Sequence, residues 1–358
     1  NDTWVEIYSC IDNANNLIEN LNKLAPDFST TTRNLGQAYF LRALAYFDLV
    51  RVWGSVPLRL ETANQETLYL PKSSKEDVYN QIISDLTSAT DALPSEVYIV
   101  GRPLSYAANG YLAKVYMKMA TESGLSKTSP EYWDLAYQNA KLVYDAKKYN
   151  LLTNYGDLFE EGNENTQESI FEIQYVSSGT STKSGQHSTI TSPQVSEYNS
   201  KTSGGQLRVN RLALHDHYLD YKVSTKSSHP DPRVEKTYIS HGYTEIASPF
   251  IDRKIYPAQF SGGFAINFIK KFAESSNSNI NSDKNRIVFR YADLILMLAE
   301  IENERNNITA SKSYIKEVLD RANTSLYTQA EIDAIAGGND LRIRIGKERA
   351  YELLGEGH

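Results

Sequence analysis

The sequence predicts a mostly α-helical protein whose helices stack in pairs and carry a loop-rich insertion with short strands. Three observations carry that expectation. Apolar residues recur at steps of three and four through the first two-fifths of the chain, the spacing of one helix face. The same spacing returns near residue 290. Between the two lies a stretch dominated by Gly, Ser, Asn, Pro and aromatic residues.

Residues 4–23 place Ile7, Ile11, Ala14, Leu17, Ile18 and Leu21 on one stripe. Residues 35–53 repeat it with Ala38, Leu41, Ala45, Leu49 and Val52, and alanine lets helices approach closely. Ser73 or Ser74, followed three residues later by Glu76 or Asp77, reads as a capping box. It opens a third helix with Val78, Ile82, Leu86 and Ala89 inward, and Pro94 lies just past its end. Arg102-Pro103-Leu104-Ser105 starts a fourth, with Ala108, Leu112, Val115 and Met119 inward and Gly124 closing it. A fifth spans about 132–147, with Ala136, Ala140 and Val143. Short connections make such helices antiparallel neighbours. Alanine seams between them fit a tetratricopeptide-like stack, although the strict repeat signature is absent.

From Ser169 to Tyr175 the pattern is that of a short strand. Residues 177–205 are polar, and 224–285 hold turn signals such as Pro230-Asp231-Pro232, Gly262-Gly263 and Asn279 to Asn281. A compact domain rarely keeps so much irregular chain without using it. Helices return at 290–305, with Ala292, Ile295, Leu298, Ala299 and Glu302 in register, and at 310–322, with Ile315, Val318, Leu319 and Ala322. A last helix-like stretch holds Glu348, Arg349, Glu352 and Leu353. The expected organisation is a single domain over 1–358, with a helical scaffold at 1–148 and 286–358 and a loop-rich, ligand-facing region at 149–285.

Composition narrows the function. The chain has 358 residues and a formal net charge of -7, and so lacks the basic balance that nucleic-acid binding requires. No run approaches the 18 or so apolar residues that a membrane-spanning helix needs. The single cysteine, Cys10, excludes an intrachain disulfide and reads as a helix residue. The N-terminus opens almost directly into a helical pattern without a signal-peptide profile, so the true start is expected upstream.

No motif for catalysis stands out. There is no Gly-x-Ser-x-Gly elbow, no His-Glu-x-x-His helix and no Gly-x-Gly-x-x-Gly loop. Gly179 to Ser184 lacks the glycine that should precede its lysine in a phosphate loop. His215-Asp216-His217, with His229 and His241 as partners, is the best metal candidate. A zinc site needs three or four ligands, and a polar turn is the simpler reading. Glu160-Glu161 and the set Glu300, Glu302 and Glu304 read as solvated faces. No catalytic residue, cofactor or metal is expected.

Several segments resemble a known family. They are Leu35 to Leu58 (LGQAYFLRALAYFDLVRVWGSVPL), Leu104 to Ala120 (LSYAANGYLAKVYMKMA) and Ala136 to Tyr175, which ends in Ser169-Ile170-Phe171-Glu172-Ile173. They continue with Asp231-Pro232-Arg233, Arg290 to Asn303 (RYADLILMLAEIEN), Asp320-Arg321-Ala322, and Glu348-Arg349-x-x-Glu352-Leu353-x-x-Glu356-Gly357. In this order they resemble the SusD/RagB family of outer-membrane nutrient-binding proteins. The resemblance implies a cell-surface lipoprotein of the outer membrane, facing outward, whose lipid anchor is not in this chain. It implies a SusC-like, TonB-dependent transporter as partner. The implied ligand is an oligosaccharide or polysaccharide, or in some branches a peptide, with a glycan-active enzyme as the less favoured alternative.

Two expectations about residues accompany it. Arg42, Asp48, Asp293 and Glu300 sit among alanines and leucines, where a charge needs a partner, so they are expected to tie helices together. A sugar site needs flat aromatic faces and flanking amides. In the loop-rich region Tyr198, Asn199, Tyr218, Tyr221, Tyr243 and Phe260 supply these, and no family motif assigns them.

Overall fold

The computed structural model describes residues 2–23, 29–65, 68–160, 162–175, 208–209, 217, 231–239, 267–269, 271, 284–322 and 328–357. The chain divides into two compact units, residues 1–148 and 149–358.

The first unit is helical throughout its core. Its helices are α1 (Asp2–Asn22), α2 (Ser29–Trp53), α3 (Lys75–Ala92), α4 (Ser105–Ala120) and α5 (Ser129–Asp145), each packed on the next. Ser74 caps α3 and exchanges hydrogen bonds with Asp77, as the sequence predicts. Thr128 and Glu131 form a second capping box, which starts α5 three residues before the apolar stripe suggests. The α2 stripe differs from expectation. Leu41 and Val52 are 42% and 67% exposed, whereas Phe40, Tyr46 and Phe47 are buried. A helix clasped by α1 on one side and α3 on the other buries two arcs, and its aromatic residues fill them. At Gly36 a Cβ would lie 2.9 Å from the Ala92 Cβ and 3.0 Å from the Leu93 Cγ, so α2 can pass the end of α3 only without a side chain.

Arg42 ties three helices. Its guanidinium grips Asp85 of α3 in a fork, Nε to Oδ2 at 2.8 Å and Nη2 to Oδ1 at 2.7 Å. Nη1 donates to Asn15 of α1 at 2.8 Å. Asp48 does not act this way: it pairs with Arg51 of its own helix at the surface.

In the second unit a 3-10 turn (Tyr155–Phe159) precedes β1 (Ser169–Ile173), which pairs antiparallel with β5 (Arg286–Arg290). β2 (Arg208–Val209), β3 (Tyr238–Ile239) and β4 (Asn267–Ile269) form a small sheet in the order β2-β4-β3. The short α6 (Arg233–Thr237) leads into β3. After β5 come α7 (Tyr291–Glu304), α8 (Ile308–Arg321), α9 (Gln329–Asp333) and α10 (Asn339–Leu353). α7 is buried along nearly its whole length, the mark of a central helix, and the acids it carries into the core need partners. Ala299, Ile315, Leu319, Ile332, Leu341, Ile345 and Tyr351 form the core between α7, α8, α9 and α10. Among the described residues no helix is long and apolar enough to cross a membrane.

Candidate functional site

The last helix explains how the second unit is held. Arg344, Glu348 and Glu352 recur every four residues along α10, and Glu356 continues the spacing past its end. Four-residue spacing puts them on one face, and that face points inward: all four are buried. The chain turns between Glu352 and Glu356 at Gly355, whose φ of +84° lies in the left-handed region.

Basic groups from elsewhere in the second unit converge on this stripe. Arg233, at the start of α6, meets Glu348 at 2.5 Å, Glu352 at 2.9 Å and Asp231 at 2.8 Å. Arg290, at the end of β5, meets Glu352 at 2.6 Å, Glu356 at 2.7 Å and Glu168 at 2.8 Å. Arg321, at the end of α8, reaches Glu168 at 2.9 Å and also pairs with Glu352. Lys271 reaches Glu356 and the Glu352 carbonyl, both at 2.7 Å. Arg344 closes on Glu348 at 2.6 Å. Five bases (Arg233, Lys271, Arg290, Arg321, Arg344) thus face five acids (Glu168, Asp231, Glu348, Glu352, Glu356), so the web is neutral as a whole. Taking each ion out of water costs several kcal/mol, which only this density of partners offsets.

Proton affinities follow from the geometry. Burial alone would raise the Glu352 carboxyl, but Arg321, Arg290 and Arg233 overcome it and hold it far below the usual carboxylate range. Asp231 behaves alike: burial opposes its charge, and Arg233 and the His217 hydrogen bond prevail. Burial brings Lys271 down to about 8, with Glu356 pulling the other way. The Tyr155 hydroxyl, buried beside Glu352 and Glu356, is raised well above its usual value and donates to the Glu352 carbonyl at 3.0 Å. Acids held this firmly ionised serve as counterions, and they are poor proton donors near neutral pH.

His217 joins the same assembly. Its Nε2 lies 2.7 Å from Asp231 Oδ2, and its ring stacks on Tyr351 at 4.1 Å with only 8° between planes. Burial lowers its proton affinity, so the neutral ring donates to the carboxylate. His217 is therefore a packed member of the web. His215, Asp216, His229 and His241 lie outside the described residues. Among the described residues no group of three or more His, Cys, Asp or Glu is placed to hold a metal.

The expected ties Asp293 and Glu300 sit on α7. Arg349 of α10 binds Asp293 at 2.8 Å. Glu300 lies on the same helix with its carboxyl pushed up by burial and eased by Arg349. Glu302, expected on a solvated face, is instead buried and paired with Arg305 at 2.9 Å.

Tyr198, Asn199, Tyr218, Tyr221, Tyr243 and Phe260 all lie outside the described residues. The described residues that flank them in sequence are well anchored. Tyr218 and Tyr221 fall between His217 and Asp231, which are bonded to each other. Tyr243 and Phe260 fall between β3 and β4, which pair antiparallel with Tyr238 opposite Ile269. Tyr198 and Asn199 fall between Tyr175, whose N–H donates to Asn285 Oδ1 at 3.0 Å, and β2.

Comparison with known proteins is consistent from end to end. Residues 1–117 match the family described as "Starch-binding associating with outer membrane", and residues 167–358, more than half the chain, match the family described as "SusD family". The chain belongs to the SusD family. A SusD-like protein of Bacteroides ovatus is 36% identical over 182 residues, 49% of this chain and 33% of that relative. This SusD-family chain thus spans a third of that relative's length. A SusD-like protein of Formosa agariphila is 26% identical over 377 residues, 100% of this chain and 68% of the relative. A solved structure titled as a complex with xylogluco-oligosaccharide superposes with a TM-score of 0.78 at 25% identity, over 98% of this chain and 68% of that one. The mostly helical architecture is thus the SusD-like one. The web also gathers what the resembling motifs separate in sequence: Asp231 and Arg233, Arg290, Arg321, and the acids of α10.

Proposed function

We propose that this SusD-family chain is a cell-surface glycan-binding protein of the outer membrane, which captures an oligosaccharide and passes it unchanged to a TonB-dependent, SusC-like transporter. The observation that carries the reading is the likeness to a structure solved with xylogluco-oligosaccharide, at TM-score 0.78 over 98% of the chain. The family description, "Starch-binding associating with outer membrane", supports the location and the ligand class. The deep ion-pair web supports binding over turnover, because its carboxylates are committed to arginines and lysine. A lipid anchor upstream of this chain completes the reading. In functional terms residues 1–358 act as one domain, with 1–148 and 286–358 as scaffold and 149–285 facing the ligand through Tyr198, Asn199, Tyr218, Tyr221, Tyr243 and Phe260.

Isothermal titration against xylogluco-oligosaccharide, other neutral oligosaccharides and a peptide pool tests it. Saturable heat with a sugar, and the same sugar recovered intact by chromatography, is the expected result. Heat with peptides alone would replace glycan by peptide as ligand, and shortened sugar products would make the chain an enzyme. Tyr221→Ala and Tyr243→Ala should each weaken sugar binding.

A further inference from the structure

Of the chain's 3 tryptophans, Trp133 is buried in the first unit, whereas Trp4 and Trp53 meet at that unit's surface. Their ring centroids are 5.1 Å apart at 84°, an edge-to-face contact. Tyr8 packs on Trp4 at 4.9 Å, and its hydroxyl donates to the Pro57 carbonyl at 2.7 Å, which fixes the ring one helical turn behind. Trp53 ends α2 and stays 41% exposed, and the sequence neighbours Val5 and Val52 are open at 61% and 67%. The edge-to-face contact and the Tyr8 anchor set the indole planes before anything binds, so little side-chain entropy is left to lose.

Polar groups adjoin this apolar plate. The chain leaves α2 through Gly54 at φ +72°, and the Lys75 Cε lies 3.2 Å from where a Gly54 Cβ would stand. The Lys75 ammonium is bridged to Glu122 at 2.8 Å, and Glu122 also holds Lys118 at 3.1 Å and the Tyr79 hydroxyl at 3.3 Å. Two ammonium groups and a hydroxyl around one carboxylate supply a cluster of hydrogen-bond donors and acceptors, with a net charge of only +1. A flat, rigid indole face beside such groups suits a neutral pyranose, which has a C–H face to stack and a rim of hydroxyls.

We infer that Trp53, braced edge-to-face by Trp4, is a stacking platform for a neutral sugar ring. The inference rests on the glycan-binding reading above, and the experiment separates the two. Because Trp133 is buried out of a ligand's reach, a change in indole emission on titration reports mainly on Trp4 and Trp53. The full chain is titrated with xylogluco-oligosaccharide and with laminari-oligosaccharide, following emission and heat in parallel. Emission should change along the calorimetric curve. Trp53→Ala should raise Kd roughly tenfold, the effect of losing one aromatic stack, while Trp53→Phe keeps most of the affinity. An unchanged melting curve shows that the variants fold. Heat without an emission change, together with wild-type affinity in Trp53→Ala, would overturn the platform and leave glycan binding standing. Neither heat nor emission change with either sugar would remove both.

Discussion

Arg290 and Glu352 face each other at 2.6 Å with neither side chain reaching solvent. Arg233 and Arg321 also rest on Glu352, so one carboxylate neutralises charge brought by β5, α6 and α8. Glu352→Gln should therefore destabilise the second unit by about 3–5 kcal/mol, because it strands buried positive charge. Guanidinium unfolding measures this. Glu160→Gln breaks the exposed Lys236–Glu160 pair and should cost under about 1 kcal/mol. Equal losses in the two variants would contradict the assignment.

Arg42 and Asp85 make the corresponding test in the first unit. Arg42→Met leaves Asp85 buried without its fork and should cost about 3–5 kcal/mol. Arg42→Met combined with Asp85→Leu should recover much of that loss, since an apolar pair needs no counterion. A double-mutant cycle gives the coupling, and strict additivity would rule the fork out as the cause.

The web also sets a pH dependence. Glu352 and Asp231 have folded proton affinities below those of the unfolded chain. Their contribution is therefore fully present above about pH 4, the unfolded carboxylate range, and is lost progressively as the solution becomes more acidic. Lys271 acts at the other end. Its folded value of about 8 lies below the free-lysine value of 10.5, so between those limits the unfolded chain holds the extra proton. Stability attributable to Lys271 therefore rises with pH from about 8 to 10.5. Relative to wild type, Lys271→Met should lose that rise when unfolding free energies are compared across the interval.

Two glycines near the end of the chain should respond oppositely to alanine. At Gly355 the left-handed φ of +84° and a Cβ 2.7 Å from Ile269 predict a loss of about 1–3 kcal/mol. Gly346 lies within α10 with nothing within 4 Å of its Cβ position, so Gly346→Ala should gain about 0.5–1 kcal/mol. Thermal melts of the two variants decide it.

The helices were legible because burial on one side imposes a period. Ile11, Ala14 and Ile18 on α1, and Val78, Ile82 and Leu86 on α3, are buried as that period requires. The failures are instructive. Aliphatic periodicity points Leu41 and Val52 inward, whereas the structure buries Phe40 and Phe47 instead. α9 is five residues long, too short for any period, and only its Thr328–Glu331 capping box marks it. The ion-pair web left a trace in the four-residue spacing of Arg344, Glu348, Glu352 and Glu356. Spacing cannot tell a buried charged face from a wet one, and the stripe's partners come from as far away in the sequence as Arg233. The candidate sugar contacts Tyr198, Asn199, Tyr218, Tyr221, Tyr243 and Phe260 rest on residue type alone, since the sequence around them carries no period.

The order in which the web's members are synthesised has a consequence for how the second unit is made. Arg233, Lys271, Arg290 and Arg321 all leave the ribosome before Glu348, Glu352 and Glu356. Until α10 arrives, β5 and α6 hold cations that cannot be buried, so the long-range contacts of this unit close late. The first unit has no such debt, since its Arg42, Asn15 and Asp85 lie within 71 residues of one another. A nascent chain should thus hold a folded helical half while the remainder waits, still pliable, for its final helix.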